Sequence, residues 1–239
     1  MNSFLFENNN FKIFSWEHFI SVLIFTLVGI GLIWYGSGLT TEEKKRKLLL
    51  YFTFGIFLAQ LGKVAILLSI GEFDITKDLP FHLCNVAPII LWLAYYLRSR
   101  VLWGVILLWI MAGTFQANFT PTLHQSFPHF EWFRYWIIHV WLIISILYGV
   151  IVLGYRMKAF DILRSLLFLN VFAIIIYPIN NLLGANYLFL VAKPESKTMF
   201  DLLGDWPWYI LQLEFVALLL FSVLYLPFYF YGKMNAKKA

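Results

Sequence analysis

The sequence predicts an all-α polytopic membrane protein, in which a bundle of seven transmembrane helices forms a single membrane-embedded domain over residues 1–239. Two observations predict this class. Hydrophobic residues make up 61% of the 239 residues and charged residues only 13%, whereas soluble domains average about 25% charged residues. The chain also contains seven apolar stretches close to the roughly 20 residues that a helix needs to cross the hydrocarbon layer.

Seven spans are predicted along the chain, and the loops expected on the cytoplasmic side are short. They cover residues 16–35, 48–70, 79–97, 101–119, 132–153, 162–183 and 207–231. The fourth span is the least apolar, because Gly113, Gln116 and Asn118 make its second half polar. The segment before the first span has Lys12 as its one basic residue, so we expect no cleavable signal and a first helix that stays in the mature protein.

Basic residues between the spans predict the orientation. With seven spans, eleven basic residues lie on one side of the membrane and five on the other. The richer side has Lys44, Lys45, Arg46, Lys47, Arg98, Arg100, Arg156, Lys158, Lys233, Lys237 and Lys238. Because basic loops stay in the cytoplasm, we predict an N-terminus outside, a cytoplasmic C-terminus and a multi-pass location in the cell membrane. The same rule accounts for the net charge of +5, so we expect no nucleic-acid partner.

The one cysteine of the chain, Cys84, lies where a polar loop turns into the third span. Asp78 is interpreted as a residue at the helix N-cap and Pro80 as an early helical residue, which would place Cys84 about one turn inside the helix. Backbone N–H groups and the helix dipole favour a thiolate there. Pro88 cannot donate to the Cys84 carbonyl, which predicts a kink. A packed, unreactive side chain is the alternative role of this cysteine.

Three ionisable residues inside the spans, Lys63, His139 and Glu214, lie at a similar predicted depth to Cys84, roughly 7 to 12 Å from the outer surface. Ionisable groups in a membrane are costly unless they are paired or hydrated, so their common depth predicts an outward-opening polar cavity. Lys63 and Glu214 are expected to form an ion pair, with proton handling or headgroup binding as alternatives. His139 is either a hydrogen-bonded packing residue or a general base.

Histidines are the expected partners of the thiol. His82 and Cys84 are two residues apart and point to different sides of a helix, so His139 or His129 on another element is the better partner. The spacing of Cys84 and the histidines, including His124, matches no tight zinc motif. We therefore predict no metal site and no cofactor.

Four ordered blocks of the chain together resemble a known family. They are residues 79–84 (LPFHLC), 128–129 before the span that contains His139, 184–190 followed by 193–194, and 202–209. In these blocks the chain resembles the YwaF-type bacterial integral membrane proteins, which are themselves similar to the eukaryotic transmembrane-protein-164 family. Members of that eukaryotic family are described as acyltransferases that remodel phospholipids, using a cysteine and a histidine.

The resemblance implies Cys84 as the acyl-accepting nucleophile and His139 as the base, with His129 and His82 as competitors. The leading hypothesis is therefore a thiol-dependent lipid acyltransferase that moves an acyl chain through a Cys84 thioester at the extracytoplasmic side. Its partners would be membrane lipids: a phospholipid acyl donor and a lipid or lipoprotein acceptor.

Side-chain amides of Asn85, Asn118 or Asn186 are candidate donors to the oxyanion of such a reaction. The full set of expected binding residues is His82, Asn85, Lys63, Asn118, Asn186, Tyr187 and Glu214. The alternative function is a non-catalytic transporter or a membrane protein that binds a lipid or small molecule in the same polar cavity, with Lys63 and Glu214 at its centre. In a third hypothesis the polar layer only fixes the packing of a structural subunit.

Overall fold

The described part of the chain, which comprises residues 4–6, 8–194 and 199–236 of a computed structural model, contains seven helices and no strand. The helices are α1 (Trp16–Gly38), α2 (Glu42–Ile70), α3 (Leu83–Tyr96), α4 (Arg100–Ala117), α5 (Phe130–Ile151), α6 (Phe160–Leu183) and α7 (Trp208–Ala236). The 3-10 turns Tyr187–Phe189 and Met199–Leu202 lie between α6 and α7. The all-α prediction is confirmed. Lys197, Lys237 and Lys238, which contribute to the charge count, lie outside the described residues.

Six of the seven described helices are long and apolar enough to cross a membrane, which confirms the multi-pass class. The exception is α3, whose 14 residues cover about 21 Å at 1.5 Å per residue. The third predicted span therefore began too early: Pro80 lies in a turn, and His82 is the N-cap of α3.

Two helices are longer than the apolar pattern predicted. α2 begins at Glu42, six residues before the predicted span, and the Thr41 side chain caps it by accepting from Lys44 N. α7 continues to Ala236. In both cases the extra turns are charged or polar, so they extend the helix beyond the apolar stretch. The weakly apolar fourth span contains a π-helical stretch at Ile110–Thr114, the kind of helix irregularity that often accompanies functional sites.

The packing places α5 at the centre of the bundle. α5 packs against α1, α2 and α3, whereas α6 packs on α4, and α7 packs on α6 and on the π-helical stretch. The core between α3, α4 and α5 is built from fully buried Tyr95, Trp103, Ile138 and Tyr148. Large apolar side chains on the outer faces of α1, α6 and α7 are exposed, as expected for helices that face lipid.

Polar contacts join the basic linkers at one end of the bundle. Arg98 pairs with Glu43 at 3.4 Å, Arg100 pairs with Asp161 at 2.9 Å, and the Tyr148 hydroxyl donates to the Lys45 carbonyl at 2.9 Å. The N-terminal ends of α2, α4 and α6 therefore meet. We call this the basic end of the bundle.

Candidate functional site

The loop between α2 and α3 lies at the opposite end and is held by its own side chains. α2 ends at Gly71, whose positive φ of 78° suits glycine. The Asp74 carboxylate accepts from both the backbone and the hydroxyl of Thr76, and these bonds hold the pKa of Asp74 below its ordinary value. The Asp78 carboxylate in turn accepts from Asp74 N at 2.9 Å. The loop is thus a compact unit that presents Asp78 to the bundle.

Four charged side chains of alternating sign meet where this loop covers α2 and α5. Lys63 Nζ lies 2.8 Å from Asp78 and 3.9 Å from Glu131, and Arg134 pairs with Glu131 at 2.6 Å. All four side chains are only 13 to 19% exposed. Arg134 also donates to the buried Gln60 at 3.3 Å. We call Lys63, Asp78, Glu131 and Arg134 the charge cluster; it ties the loop to the two helices.

The expected ion pair between Lys63 and Glu214 is wrong. Glu214 instead accepts from Asn170 Nδ2 at 3.0 Å, because α7 packs mainly on α6 and on the π-helical stretch of α4. Lys63 faces the loop and α5, where two carboxylates are closer. Similar depth in the membrane did not imply that the two helices are neighbours.

Cys84 is the second residue of α3, and therefore lies in the first turn, nearer the helix end than predicted. Its thiol donates to the Asn85 Oδ1 atom at 3.7 Å. Lys63 and Arg134 lie within electrostatic range of the sulfur. Asn85 itself is buried, and its amide N–H groups donate to no residue in the described ranges.

His139 lies on α5, one turn after Tyr135. Its Nδ1 atom donates to the Tyr135 carbonyl at 2.8 Å, and a neutral ring with its hydrogen there leaves Nε2 as an acceptor. The Tyr135 ring stacks on the imidazole at 4.0 Å, and Tyr135 lies within electrostatic range of Cys84. Tyr135 therefore contacts His139 and lies within electrostatic range of Cys84, the two predicted catalytic groups. Across the described residues, Cys84 and His139 form no direct hydrogen bond.

Asn118 is fully engaged as a donor. Its Nδ2 atom donates to the carbonyls of Thr114 and His139 at 3.1 and 3.2 Å, so it has no N–H left for an oxyanion. It positions the end of α4 against the His139 turn of α5. Its Oδ1 atom is buried and accepts no hydrogen bond in the described part of the chain.

The other two candidate histidines, His82 and His129, are N-cap residues of helices. His129 is the N-cap of α5, and its Nδ1 atom accepts from Glu131 N at 3.2 Å, so this nitrogen is occupied. His82 is the N-cap of α3 without a side-chain capping bond. Its ring lies 5.4 Å from the Tyr187 ring and 5.2 Å from the Phe189 ring. His82 is thus a packing contact between two loops.

Tyr187 fastens the loop after α6 to the loop before α3. The buried Tyr187 hydroxyl donates to the Ile75 carbonyl at 2.7 Å and accepts from Leu79 N at 3.1 Å, and Asn180 holds the Tyr187 backbone by two hydrogen bonds. Asn186, in contrast, bonds its own loop at Val191 and Ala192. Tyr187 therefore positions the loop before α3, whereas the Asn186 side chain is used within its own loop.

Acidification is expected to destabilise the protein through His82. Burial, together with the positive charge of Lys63, lowers the pKa of the His82 imidazole from 6.5 to about 4. Because the pKa of His82 is lower in the folded state than in the unfolded state, the fold favours the neutral imidazole. The folded protein keeps its full stability above about pH 6.5 and loses stability as the pH falls towards 4. Between pH 7.5 and 4.5 the free energy of unfolding is expected to fall by about 2 to 3 kcal/mol.

Melting temperatures of the purified protein at these two pH values test this. His82→Gln, which cannot titrate, should show the smaller decrease on acidification, and His124→Gln, at an exposed position, should behave as wild type. Equal decreases for wild type and His82→Gln would contradict the assignment.

An open groove of about 390 Å³ runs between α2 and α5 next to the charge cluster. Its walls are apolar side chains such as Ile66, Phe133 and Ile137, and Phe4 lies at its border. Lys63 and Arg134 line it as well. The groove thus joins an apolar surface, suited to an acyl chain, to the two cations beside Cys84.

Metal binding has no support in the described residues, where no three His, Cys, Asp or Glu side chains are placed to hold an ion. Sequence reasoning missed Asp78 as the partner of Lys63, and it missed the pairing of Glu131 with Arg134. The i, i+3 spacing of Glu131 and Arg134 predicts a pair on one helix face, and this signal was available in the sequence.

Comparison with known protein families identifies a family to which the chain is similar. The sequence model of the TMEM164 family matches residues 13–225, a range that includes every helix except the last turns of α7. No curated protein and no solved structure matches the chain. Because the family match covers most of its length, the chain belongs to the TMEM164 family.

Proposed function

We propose that this membrane protein is a thiol-dependent lipid acyltransferase that carries the acyl chain as a thioester on Cys84. The observation that supports it most is the place of Cys84 in the first turn of α3, beside Lys63 and Arg134, which also line the apolar groove. A phospholipid in that groove would have its acyl chain against apolar walls and its ester near the thiol.

In the first half of the reaction the Cys84 sulfur attacks the ester carbonyl, and the proton of the thiol passes to His139 Nε2. The C–O bond breaks, and the lysolipid oxygen that leaves takes this proton. In the second half an acceptor hydroxyl or amine of a lipid or lipoprotein gives its proton to His139 and attacks the thioester carbonyl. The C–S bond breaks, and the Cys84 sulfur that leaves takes this proton from His139, which restores the thiol and the neutral imidazole. His139 suits the base better than His129, because the His129 Nδ1 atom accepts from Glu131 N, and a neutral ring then carries its hydrogen on Nε2 and has no free acceptor nitrogen.

The oxyanion needs donors that are not already used. Asn85 fits this role, because its amide N–H groups donate to no described residue and it follows Cys84 directly. Asn118 fits less well, since its donors bind the carbonyls of Thr114 and His139. Tyr187 and His82 would act by holding the loop that precedes the thiol.

We infer that the chain crosses the cell membrane seven times, with α3 as the short third crossing, and that the basic end faces the cytoplasm. The contacts that join Arg98 to Glu43 and Arg100 to Asp161 support this, because they bring the basic linkers to one side, and such linkers stay in the cytoplasm. Cys84 and the charge cluster would then face the outside.

The charge cluster favours a second candidate, a binder or transporter without catalysis. The four side chains of the charge cluster are only 13 to 19% exposed. Ionisable residues inside a membrane bundle are costly, so they are candidates for a functional role by default. In this case Lys63 and Arg134 would bind the headgroup of a lipid, and Cys84 would only pack.

The purified protein should form a hydroxylamine-labile adduct with an alkyne-tagged acyl phospholipid. We expect Cys84→Ser to lower this label at least roughly 100-fold, and His139→Gln to slow its formation by about 10²- to 10⁴-fold, the usual contribution of a general base. His124→Gln is the matched histidine control and should label as wild type. Because Cys84 is the one cysteine of the chain, a hydroxylamine-labile adduct of equal amount on Cys84→Ser would rule out the thioester.

A comparison of variants in cells tests the second candidate function. If Lys63→Met abolished function while Cys84→Ala did not, binding or transport without catalysis would be the better assignment.

A further inference from the structure

We propose that a second site, at the basic end of the bundle, binds the phosphate of an anionic phospholipid headgroup. A pocket of about 560 Å³ lies between the α5–α6 linker and the last turns of α7. Its basic residues are Arg156, Lys158 and Lys233, and its aromatic residues include Phe228, Tyr229 and Tyr231. We call it the basic pocket. It lies at the other end of the bundle from Cys84 and does not depend on the proposed acyl transfer.

The three cations of the basic pocket have no acidic partner. Arg156 Nη1 donates to the carbonyls of Val150 and Tyr155 at 2.7 and 2.8 Å, which positions the guanidinium without neutralising it. Neither Lys158 nor Lys233 forms an ion pair within the described ranges. The pocket lining contains no Asp or Glu. Three positive charges therefore converge without a counter-charge from the chain.

The nearest carboxylate is already occupied. Asp161 is fully buried and accepts from Arg100 at 2.9 Å and from Arg164 at 3.2 Å. It also accepts from the Lys158 backbone N–H at 2.7 Å, which fixes the Lys158 backbone next to the first turn of α6. The Asp161 carboxylate therefore does not serve the side chains in the basic pocket.

Three other cations at the same end are paired with glutamates, whereas Lys44 and Arg46 form no ion pair in the described part of the chain. Lys45 binds Glu42 at 2.9 Å, and Lys47 and Arg98 both bind Glu43. Arg156, Lys158 and Lys233 differ from these cations because they line one pocket without a carboxylate. Mutual repulsion of three cations costs stability unless a counter-ion is present, which favours an external anion in this pocket.

The aromatic side chains suit a lipid more than a free anion. The Arg156 guanidinium lies over the Tyr231 ring at 4.6 Å, and Lys233 Nζ lies over the Tyr229 ring at 5.0 Å. Tyrosines mark the level of the headgroups in a membrane, and basic pockets between transmembrane helices bind anionic headgroups. A lipid phosphate would lie between the three cations, with its glycerol and acyl chains along Phe228 and the outer face of α7.

Binding of phosphatidylglycerol and phosphatidylcholine to the purified full-length protein in neutral detergent, measured by native mass spectrometry, tests the proposal. We expect phosphatidylglycerol to bind at least roughly 10-fold more tightly. The triple variant Arg156→Gln/Lys158→Gln/Lys233→Gln should weaken its binding roughly 100-fold, since each basic side chain at a membrane surface contributes about 5-fold. Inorganic phosphate at millimolar concentration should not displace the lipid.

The matched control is Lys44→Gln/Lys47→Gln/Arg98→Gln, which removes the same charge from exposed positions at the same end; its binding should change less than about 2-fold. If the triple variant fails to fold, Lys158→Gln/Lys233→Gln keeps the internal Arg156 bonds and should still lose roughly 25-fold. Equal losses in the pocket and control variants, equal binding of the two lipids, or displacement by inorganic phosphate would overturn the lipid site.

Discussion

Asp161→Asn is expected to lower the free energy of unfolding by about 3 to 5 kcal/mol, the usual result of breaking a buried ion pair from one side. The Asp161 side chain is fully buried. Its Oδ2 atom accepts two bonds from Arg100 at 2.9 Å, and its Oδ1 atom accepts from Arg164 at 3.2 Å. An asparagine would leave two guanidinium groups without a counter-charge and turn an acceptor into a donor that faces them. The contact between α4 and α6 would therefore weaken.

Chemical unfolding in detergent micelles, followed by tryptophan fluorescence, measures this loss. The control is Glu43→Gln, which breaks the ion pairs of Arg98 and Lys47, both on exposed side chains, and should cost less than about 1 kcal/mol. If Asp161→Asn unfolded within about 1 kcal/mol of wild type, the Asp161 ion pairs would not hold α4 to α6.

Gly149→Ala is expected to cost about 3 kcal/mol, because α3, α4 and α5 meet at this glycine. A methyl group there would lie 2.6 Å from the Tyr95 hydroxyl and 2.7 Å from Trp103 Nε1. These two buried groups form a hydrogen-bond chain: Trp103 Nε1 donates to Tyr95 at 3.0 Å, and Tyr95 donates to the Ser145 carbonyl at 2.7 Å. The methyl group would overpack the core and separate buried polar partners.

Thermal melts of the purified protein test the prediction against Gly55→Ala in the middle of α2. At Gly55 an added methyl group meets no atom within 4 Å, so we expect a change of less than about 1 kcal/mol, in the direction of the higher helix propensity of alanine. The packing argument would fail if the two alanine variants melted at the same temperature.

Several helix ends were predictable because their signals are local. The start of α1 at Trp16 and the ends of α2 at Ile70 and of α6 at Leu183 agree with the predicted spans. Gly71 and Gly184 terminate two of these helices with positive φ values of 78° and 65°, a common way for a helix to end. Hydrophobic length and capping residues are read along the chain and need no knowledge of neighbouring helices.

The start of α3 was not predictable in the same way. Pro80 is acceptable in a first helical turn, yet Asp78 is held by Lys63 at 2.8 Å, and the Tyr187 hydroxyl accepts from Leu79 N. These partners are 15 and 108 residues away in sequence. The tertiary contacts hold residues 78 and 79 in the loop, so the helix begins at Leu83.

The sequence by itself determined the membrane class, six of the spans, the family blocks and the place of Cys84 at the start of a helix, because each of these depends on composition or on residues close together in the chain. Only the tertiary structure decided that Lys63 pairs with Asp78 and Glu131 and not with Glu214. The tertiary structure also decided that the Asn118 amide is already used in hydrogen bonds. It likewise decided that the basic residues of the basic pocket lie together. The physical reason is that hydropathy gives the depth of a side chain in the membrane, whereas its partners depend on the rotation of each helix and on which helices pack together.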